Sequence, residues 1–307
     1  MQLPPDFIKT IQNTFQDDGR AWLIQLPELI ARASKQWGLT DVQPVSNLSY
    51  NFVAFASRPS MPREACGSAQ DVVLKIGVPR DELTSEIAAL KLFNGDGACQ
   101  LLDCDDARGF LLLERLTPGE MLSELEDDDQ RAHITADVMQ KLWRQIPERD
   151  AFIKLSDWFD GLKKIRPHFD GGTGPFSKKL LEQVESSMPE LFADENIKLI
   201  HGDLHHYNIL SSDCGWVAID PKGVIGPAGY EIAPFMINPL YETIDASRFK
   251  IRAERRVSIF AERLGWERER IIQWATAHAV LSAWWGIEDG TDWEYSMRCA
   301  EVFSKLG

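Results

Sequence analysis

A chain of 307 residues with 44% hydrophobic content carries more apolar material than one core usually organises, so two lobes are the default expectation. Its 47 acidic and 33 basic residues leave a formal charge of −14, which argues against a nucleic-acid partner, since such proteins need a basic face to displace counterions. A cationic small molecule suits this charge, and solubility alone explains it equally well.

The five cysteines are scattered and never spaced as Cys-x-x-Cys. That is the usage of reduced thiols in a cytoplasmic protein, not of a disulfide framework or a zinc ribbon. No apolar run approaches the roughly 20 residues needed to cross a bilayer, and the first residues do not read as a signal peptide.

In chain order, the first segment predicts two helices, about Pro5 to Phe15 and Trp22 to Trp37, the second with Leu26, Leu29 and Ile30 on one face. From Val42 the pattern changes to short strands, with YNFVAFAS and DVVLKIGV joined by a Pro-, Gly- and Ser-containing hairpin connection. DELTSEIAALKLF reads as a helix, and CQLLDC and GFLLLER as two further strands. The result is a small sheet with one main helix. Pro118 and Gly119 in LTPGEML break the pattern, which divides the chain into lobes 1–116 and 117–307. The second lobe is mostly helical, through ADVMQKLWRQI, LSDWFDGLKKI, SKKLLEQVESSM and a long run from Ala246 to Leu306. KLIHG, NILSS and WVAID interrupt it as very short strands joined by tight loops.

Those loops concentrate chemistry. Asp203 and Asn208 lie five apart in HGDLHHYN, and Asp220 follows in WVAIDPKG. Phosphoryl transfer uses these residue types: a carboxylate to accept the hydroxyl proton, here Asp203, and oxygen ligands for magnesium, here Asn208 and Asp220. A polar turn is the plain alternative, against which stand the apolar flanks. Zinc on His201 and His205 is a second alternative, against which stand Gly202 and the strand-like approach.

Lys75 sits inside the apolar run DVVLKIGV and needs an anionic partner, because burying an unpaired ammonium costs several kcal/mol. Glu86, beside the apolar stripe Leu83, Ile87, Leu90 and Phe93 of the next helix, is that partner. The alternative is a lysine snorkelling to solvent from an edge strand.

The order Lys75, Glu86, Asp203, Asn208, Asp220 resembles the protein-kinase-like fold. HGDLHHYNIL followed by AIDPKG is similar to its aminoglycoside phosphotransferase branch, and IDPKGVIGPAGYEIAPFMINP with AVLSAWWGIEDG resembles the streptomycin 6-phosphotransferase and hydroxyurea phosphotransferase family. The likeness extends over nearly the whole chain. It implies an α+β, two-lobed fold with a small antiparallel-sheet N-lobe and a larger, mainly helical C-lobe. It also implies ATP and Mg2+ as cofactors, Asp203 as catalytic base, Asn208 and Asp220 as metal ligands, and Lys75 with Glu86 positioning phosphates. Backbone groups near Glu114 and Leu116 would bind adenine.

One departure stands out. The stretch PVSNLSYNFVAF has no glycine where protein kinases carry a glycine-rich loop, and Ser46, Asn47, Ser49 and Asn51 are the donors available there; an ordinary polar hairpin turn is the alternative. Lys222 is a further phosphate contact or a surface lysine. His206 and Tyr207 shape the loop, and His201 packs behind it.

Because PKGVIGPAGYEIAPFMINP leads quickly into helices, with no long segment to form a peptide platform, the acceptor is expected to be a small molecule. Trp284, Trp285, Glu288 and Asp289, with Asp292, Trp293 and Glu294 just beyond, put carboxylates beside aromatic faces. That suits a hydroxylated polycation such as a streptidine ring; core tryptophans and solvated helix-end acids are the alternative. The leading expectation is an ATP-dependent O-phosphotransferase acting on a streptomycin-like aminoglycoside. Hydroxyurea, a metabolite, or a non-catalytic nucleotide-binding role are the competing readings.

Overall fold

Alternation along the strands decides what the first lobe packs against. The structure, a computed structural model, describes residues 3–59, 70–146, 152–194, 196–239 and 245–306. Strands β1 (Thr40–Pro44), β2 (Phe52–Arg58), β3 (Gln70–Ile76), β4 (Leu101–Asp105) and β5 (Phe110–Glu114) form one antiparallel sheet in the order β1-β2-β3-β5-β4. Most of the predicted connection between β2 and β3, residues 60–69, lies outside the described residues.

With period two, Phe52, Ala54, Val72, Leu74, Ile76, Phe110 and Leu112 point to one face. There they meet Phe7, Trp22 and Leu26 of helix α1 (Pro5–Trp37). Leu111 and Leu113 point to the other face and join Leu83, Ile87, Leu90 and Phe93 of helix α2 (Asp81–Phe93). Lys75, between Leu74 and Ile76 in the central strand, is therefore forced onto the α2 side, opposite Leu111 and Val53.

The two amino-terminal helices predicted separately are observed: the run Pro5–Trp37 is two helices meeting at a kink at Gln16, where φ is 55°, and the second starts earlier than Trp22. The pieces fold onto each other, with the Phe7 and Trp22 rings edge to face at 6.3 Å. Gly19 permits the approach, since a Cβ there would lie 2.4 Å from the Ile11 carbonyl oxygen.

The second lobe contains helices α3 (Asp128–Leu142), α4 (Leu155–Phe159), α5 (Ile165–His168), α6 (Lys178–Phe192), α7 (Ala233–Ile237), α8 (Ala246–Leu264), α9 (Arg268–Asp289) and α10 (Glu294–Phe303). The long carboxy-terminal run is cut into α8, α9 and α10 by Gly265 and Gly290, which cap helix ends at φ values of 70° and 65°. LSDWFDGLKKI is likewise not one α-helix but α4, a 3-10 turn and the start of α5. Helix α9 is buried on nearly every side, and Trp274, Leu281 and Trp284 anchor the core of this lobe.

Two small sheets support the loops of interest. One has the order β10 (Gly215–Ala218), β9 (Ile209–Ser212), β6 (Pro118–Met121), and the other β7 (Ile153–Lys154), β11 (Val224–Pro227), β8 (Ile197–Ile200). The loop with Asp203 and Asn208 joins β8 to β9, and the loop with Asp220 and Lys222 joins β10 to β11. This is the two-lobed α+β kinase-like architecture, with one main helix on the amino-terminal sheet and a larger helical second lobe.

Candidate active site

The buried lysine of β3 has two anionic partners. Its Nζ donates to the two Glu86 carboxylate oxygens at 2.6 and 2.8 Å and also to Asp220 Oδ1. Burial disfavours the ammonium, but Asp220 and Glu86 more than compensate and hold the Lys75 pKa above its ordinary value. Asp220 responds in kind: despite burial, Lys75 and Lys222 keep its carboxyl well below the usual range. Lys222 lies 2.8 Å from Glu82 and 3.8 Å from Asp220, so two lysines and three carboxylates form one network across the lobes.

Backbone contacts lock that network. Ser85, one residue before Glu86, donates its hydroxyl to the Gly223 carbonyl at 2.6 Å. Gly223 has φ 64°, and a Cβ there would lie 2.6 Å from the Ser85 carbonyl oxygen. Helix α2 is thus held directly on the loop that carries Asp220.

The loop carrying Asp203 is set from below. The backbone N–H groups of His201 and Gly202 donate to Glu231 at 2.7 and 2.9 Å. Gly202 needs its glycine, because φ is 87° and a Cβ would lie 2.5 Å from Val224 Cγ2. His201 Nε2 faces the Ile219 carbonyl at 2.8 Å while Nδ1 accepts from the Asp203 N–H at 3.2 Å. Both ring nitrogens are therefore committed. Burial lowers the His201 pKa to about 4, so the ring is neutral at ordinary pH. Among the described residues, no group of three or more His, Cys, Asp or Glu is arranged to hold a metal; against zinc on His201 and His205 stand the two engaged nitrogens of His201.

Asn208 ties the two loops together: side-chain Nδ2 donates to the Asp203 backbone carbonyl at 3.0 Å, and the Asn208 backbone carbonyl accepts from Ile219 N–H at 2.9 Å. His205 Nε2 is 3.6 Å from Asp203 Oδ1. Burial raises the Asp203 pKa, but His205, Lys222 and His201 outweigh it and bring it to about 2. Asp203, Asn208, Asp220, Lys75 and Lys222 are thus gathered at one junction. His206 stacks on Phe235 at 4.1 Å and meets Arg256 Nη2 at 3.2 Å, behind the loop.

Glu231 carries a pH prediction. Burial pushes its carboxyl up to about 7 against the pull of the two amides, and the Asp203 charge adds to the rise. The native state then binds this proton more tightly than the unfolded chain, so its contribution to stability falls as pH rises from about 4.5 to 7. Glu231→Gln is expected to remove up to about 3 kcal/mol of that pH dependence. Thermal denaturation of both proteins at pH 5 and pH 7 checks it, and identical slopes would contradict it.

The remaining expected residues separate. Glu114 Oε1 accepts from the Gln100 N–H at 2.6 Å, so this side chain braces the end of β5. Leu116 packs on the main core just beyond it. Ser46, Asn47 and Ser49 are exposed in the turn between β1 and β2.

Beside these groups lies a cavity of about 350 Å³ lined by Tyr50, Ser282, Trp285, Gly286, Asp289, Thr291, Asp292, Tyr295 and Ser296. Of the four expected acceptor residues it takes Trp285 and Asp289. Trp284 is 1% exposed in the core, and Glu288 pairs with Lys164 at 3.1 Å. Helical spacing explains the split, because 282, 285, 286 and 289 share one face of α9 while 284 and 288 share another. Asp292 Oδ1 also caps α10 by accepting from the Glu294 N–H at 3.0 Å.

Comparison with known proteins agrees with this geometry. The profile of the aminoglycoside/hydroxyurea antibiotic resistance kinases matches residues 51–290. The chain belongs to this family. It is 28% identical to the streptomycin 6-kinase of Streptomyces glaucescens over 294 residues, covering 95% of this chain and 92% of that one. It is also 28% identical to the hydroxyurea phosphotransferase of Kitasatospora aureofaciens, covering 94% and 82%. Among solved structures, a choline kinase from Streptococcus pneumoniae superposes with a TM-score of 0.61 at 16% identity, covering 92% and 98%, a likeness of fold.

As a member of the aminoglycoside phosphotransferase superfamily, the chain is an ATP-dependent small-molecule phosphotransferase. No described helix is long and apolar enough to cross a membrane. Glu231, Tyr50 and Ser282 also shape this site, beyond the residues expected from sequence. Glu231 and Tyr50 lie inside motifs noted for other residues, and Ser282 is on the α9 face now seen to line the cavity. The spacing of Ser282, Trp285 and Asp289 was available as a signal; the partners of Glu231 were not.

Proposed function

We propose that this kinase transfers the γ-phosphate of ATP to a hydroxyl of a streptomycin-like aminoglycoside. The observation that carries the reading is the cavity: three aromatic rings and two carboxylates line it, and none of its described lining residues is cationic. A guanidinium or ammonium group gains there from both the aromatic faces and Asp289. The volume of about 350 Å³ suits one ring of a larger acceptor and exceeds what a molecule as small as hydroxyurea would fill.

In this reading Asp203 receives and orients the acceptor hydroxyl. A carboxylate with a pKa of about 2 is a weak base, so it takes the proton late, as the bond to phosphorus forms, and its main work is alignment. Lys75, held by Glu86, faces the α and β phosphates, and Lys222 adds positive charge near the transferred group. Asp220 and Asn208 supply oxygen ligands, a small set that fits Mg2+, which keeps water and phosphate oxygens as its other ligands. When bound, Mg2+ offsets charge on the phosphates. Ser49 and backbone groups near Glu114 and Leu116 would complete the nucleotide contacts.

The test is steady-state kinetics with streptomycin and hydroxyurea as acceptors. Asp289→Asn is expected to raise the streptomycin KM about tenfold with kcat little changed, the pattern of lost uniform binding. A higher kcat/KM for hydroxyurea, indifferent to Asp289, would overturn the reading.

A further inference from the structure

The turn between β1 and β2 does more than cover one side of the cleft. Ser46, Asn47 and Ser49 in it are exposed, yet the next residue, Tyr50, forms part of the cavity wall, opposite a wall built from α9 and α10 of the other lobe. Tyr50 is 51% exposed, so the residue is at the mouth of the cavity instead of being spent on a core. Its surroundings span both halves of the site. Burial and then Asp289 raise the phenol pKa, Lys222 opposes them, and Glu82 and Asp203 add to the rise. Tyr50 thus shares the cavity with Asp289 and is within electrostatic reach of Lys222 and Asp203.

We propose that Tyr50 is a specificity-determining residue, whose ring contacts the bound acceptor and couples acceptor affinity to the position of the β1–β2 turn. This rests on reading the cavity as the acceptor site. An aromatic edge contributed by the amino-terminal lobe has two consequences. The acceptor is gripped fully only when both lobes are in register, and a nucleotide that orders the turn strengthens acceptor binding. By linkage, the acceptor strengthens nucleotide binding by the same factor.

The experiment is calorimetric titration of the full chain with streptomycin, with and without a non-hydrolysable ATP analogue and magnesium. Wild type is expected to bind streptomycin about tenfold more tightly when the analogue is present. Tyr50→Ala should weaken that binding about tenfold and abolish the difference, while Tyr50→Phe, which keeps the ring, should retain most of both. The affinity of either variant for the analogue alone should stay within about twofold of wild type. Equal losses for analogue and streptomycin in Tyr50→Ala would overturn the inference by making Tyr50 part of the nucleotide cover. Unchanged streptomycin binding in Tyr50→Ala, with weakened binding in Asp289→Asn, would overturn it while leaving the cavity reading intact. Failure of wild type to bind streptomycin at all would defeat the cavity reading and this inference together.

Discussion

Asp203→Ala is expected to lower kcat for phosphoryl transfer by about 10²–10⁴-fold, with nucleotide affinity held within about twofold. The expectation follows from what Asp203 does not touch. Lys75, Glu86 and Asp220 form their own network from β3, α2 and the following loop, and removing a carboxylate from the neighbouring loop leaves those contacts in place. What is lost is alignment of the acceptor hydroxyl. The low pKa of about 2 adds a second check: Asp203 stays ionised through the working range, so its protonation cannot cause any fall in wild-type kcat between pH 7 and pH 5. Single-turnover rates with a parallel nucleotide titration measure both parts. Equal losses of rate and nucleotide affinity would assign Asp203 to nucleotide binding instead.

The second large effect concerns the buried ion pair. Lys75 and Glu86 are 4% and 5% exposed, and Asp220 shares the same ammonium. Lys75→Met leaves the buried Glu86 carboxylate without its cation and facing Asp220, whose side chain is one-third exposed, and we expect it to cost about 3–5 kcal/mol of stability as well as raising the KM for ATP. The double variant Lys75→Met/Glu86→Leu separates the two consequences. Replacing a buried pair by apolar groups of similar size is often nearly neutral, so the double variant should recover much of the stability and none of the activity. Urea unfolding alongside kinetics decides the matter. If Lys75→Met unfolds at the wild-type urea midpoint, the pair is not structural.

The elements best foreseen are those in which a local pattern and a buried face coincide. The period-two alternation of β2 and β3 and the stripe of Leu83, Ile87, Leu90 and Phe93 required the sheet and its one helix. An ammonium amid Val73, Leu74 and Ile76 required a partner such as Glu86. The amino-terminal pair is legible as two helices, the first ending at Phe15 beside the break at Gln16; the start of the second ahead of Trp22 is not, because the fold-back is set by Phe7 meeting Trp22. In the carboxy-terminal run the helix end at Gly290 is legible from AVLSAWWGIEDG, whereas the break at Gly265 is marked only by that glycine. In the cavity, composition singled out the neighbourhood of Trp285 and Asp289. It gave no way to exclude Trp284, whose burial depends on which face of α9 meets α5 and the 3-10 turn before it. Tyr50 and Glu231 depend on contacts between distant segments, which no local pattern encodes.

The most direct measurement is the mass of streptomycin after incubation with the protein, ATP and magnesium, with Asp203→Ala in parallel. A gain of one phosphate is expected with wild type and none with the variant. Unmodified streptomycin in both samples, from protein that binds ATP, would contradict the proposed acceptor; equal phosphorylation in both would contradict the role given to Asp203.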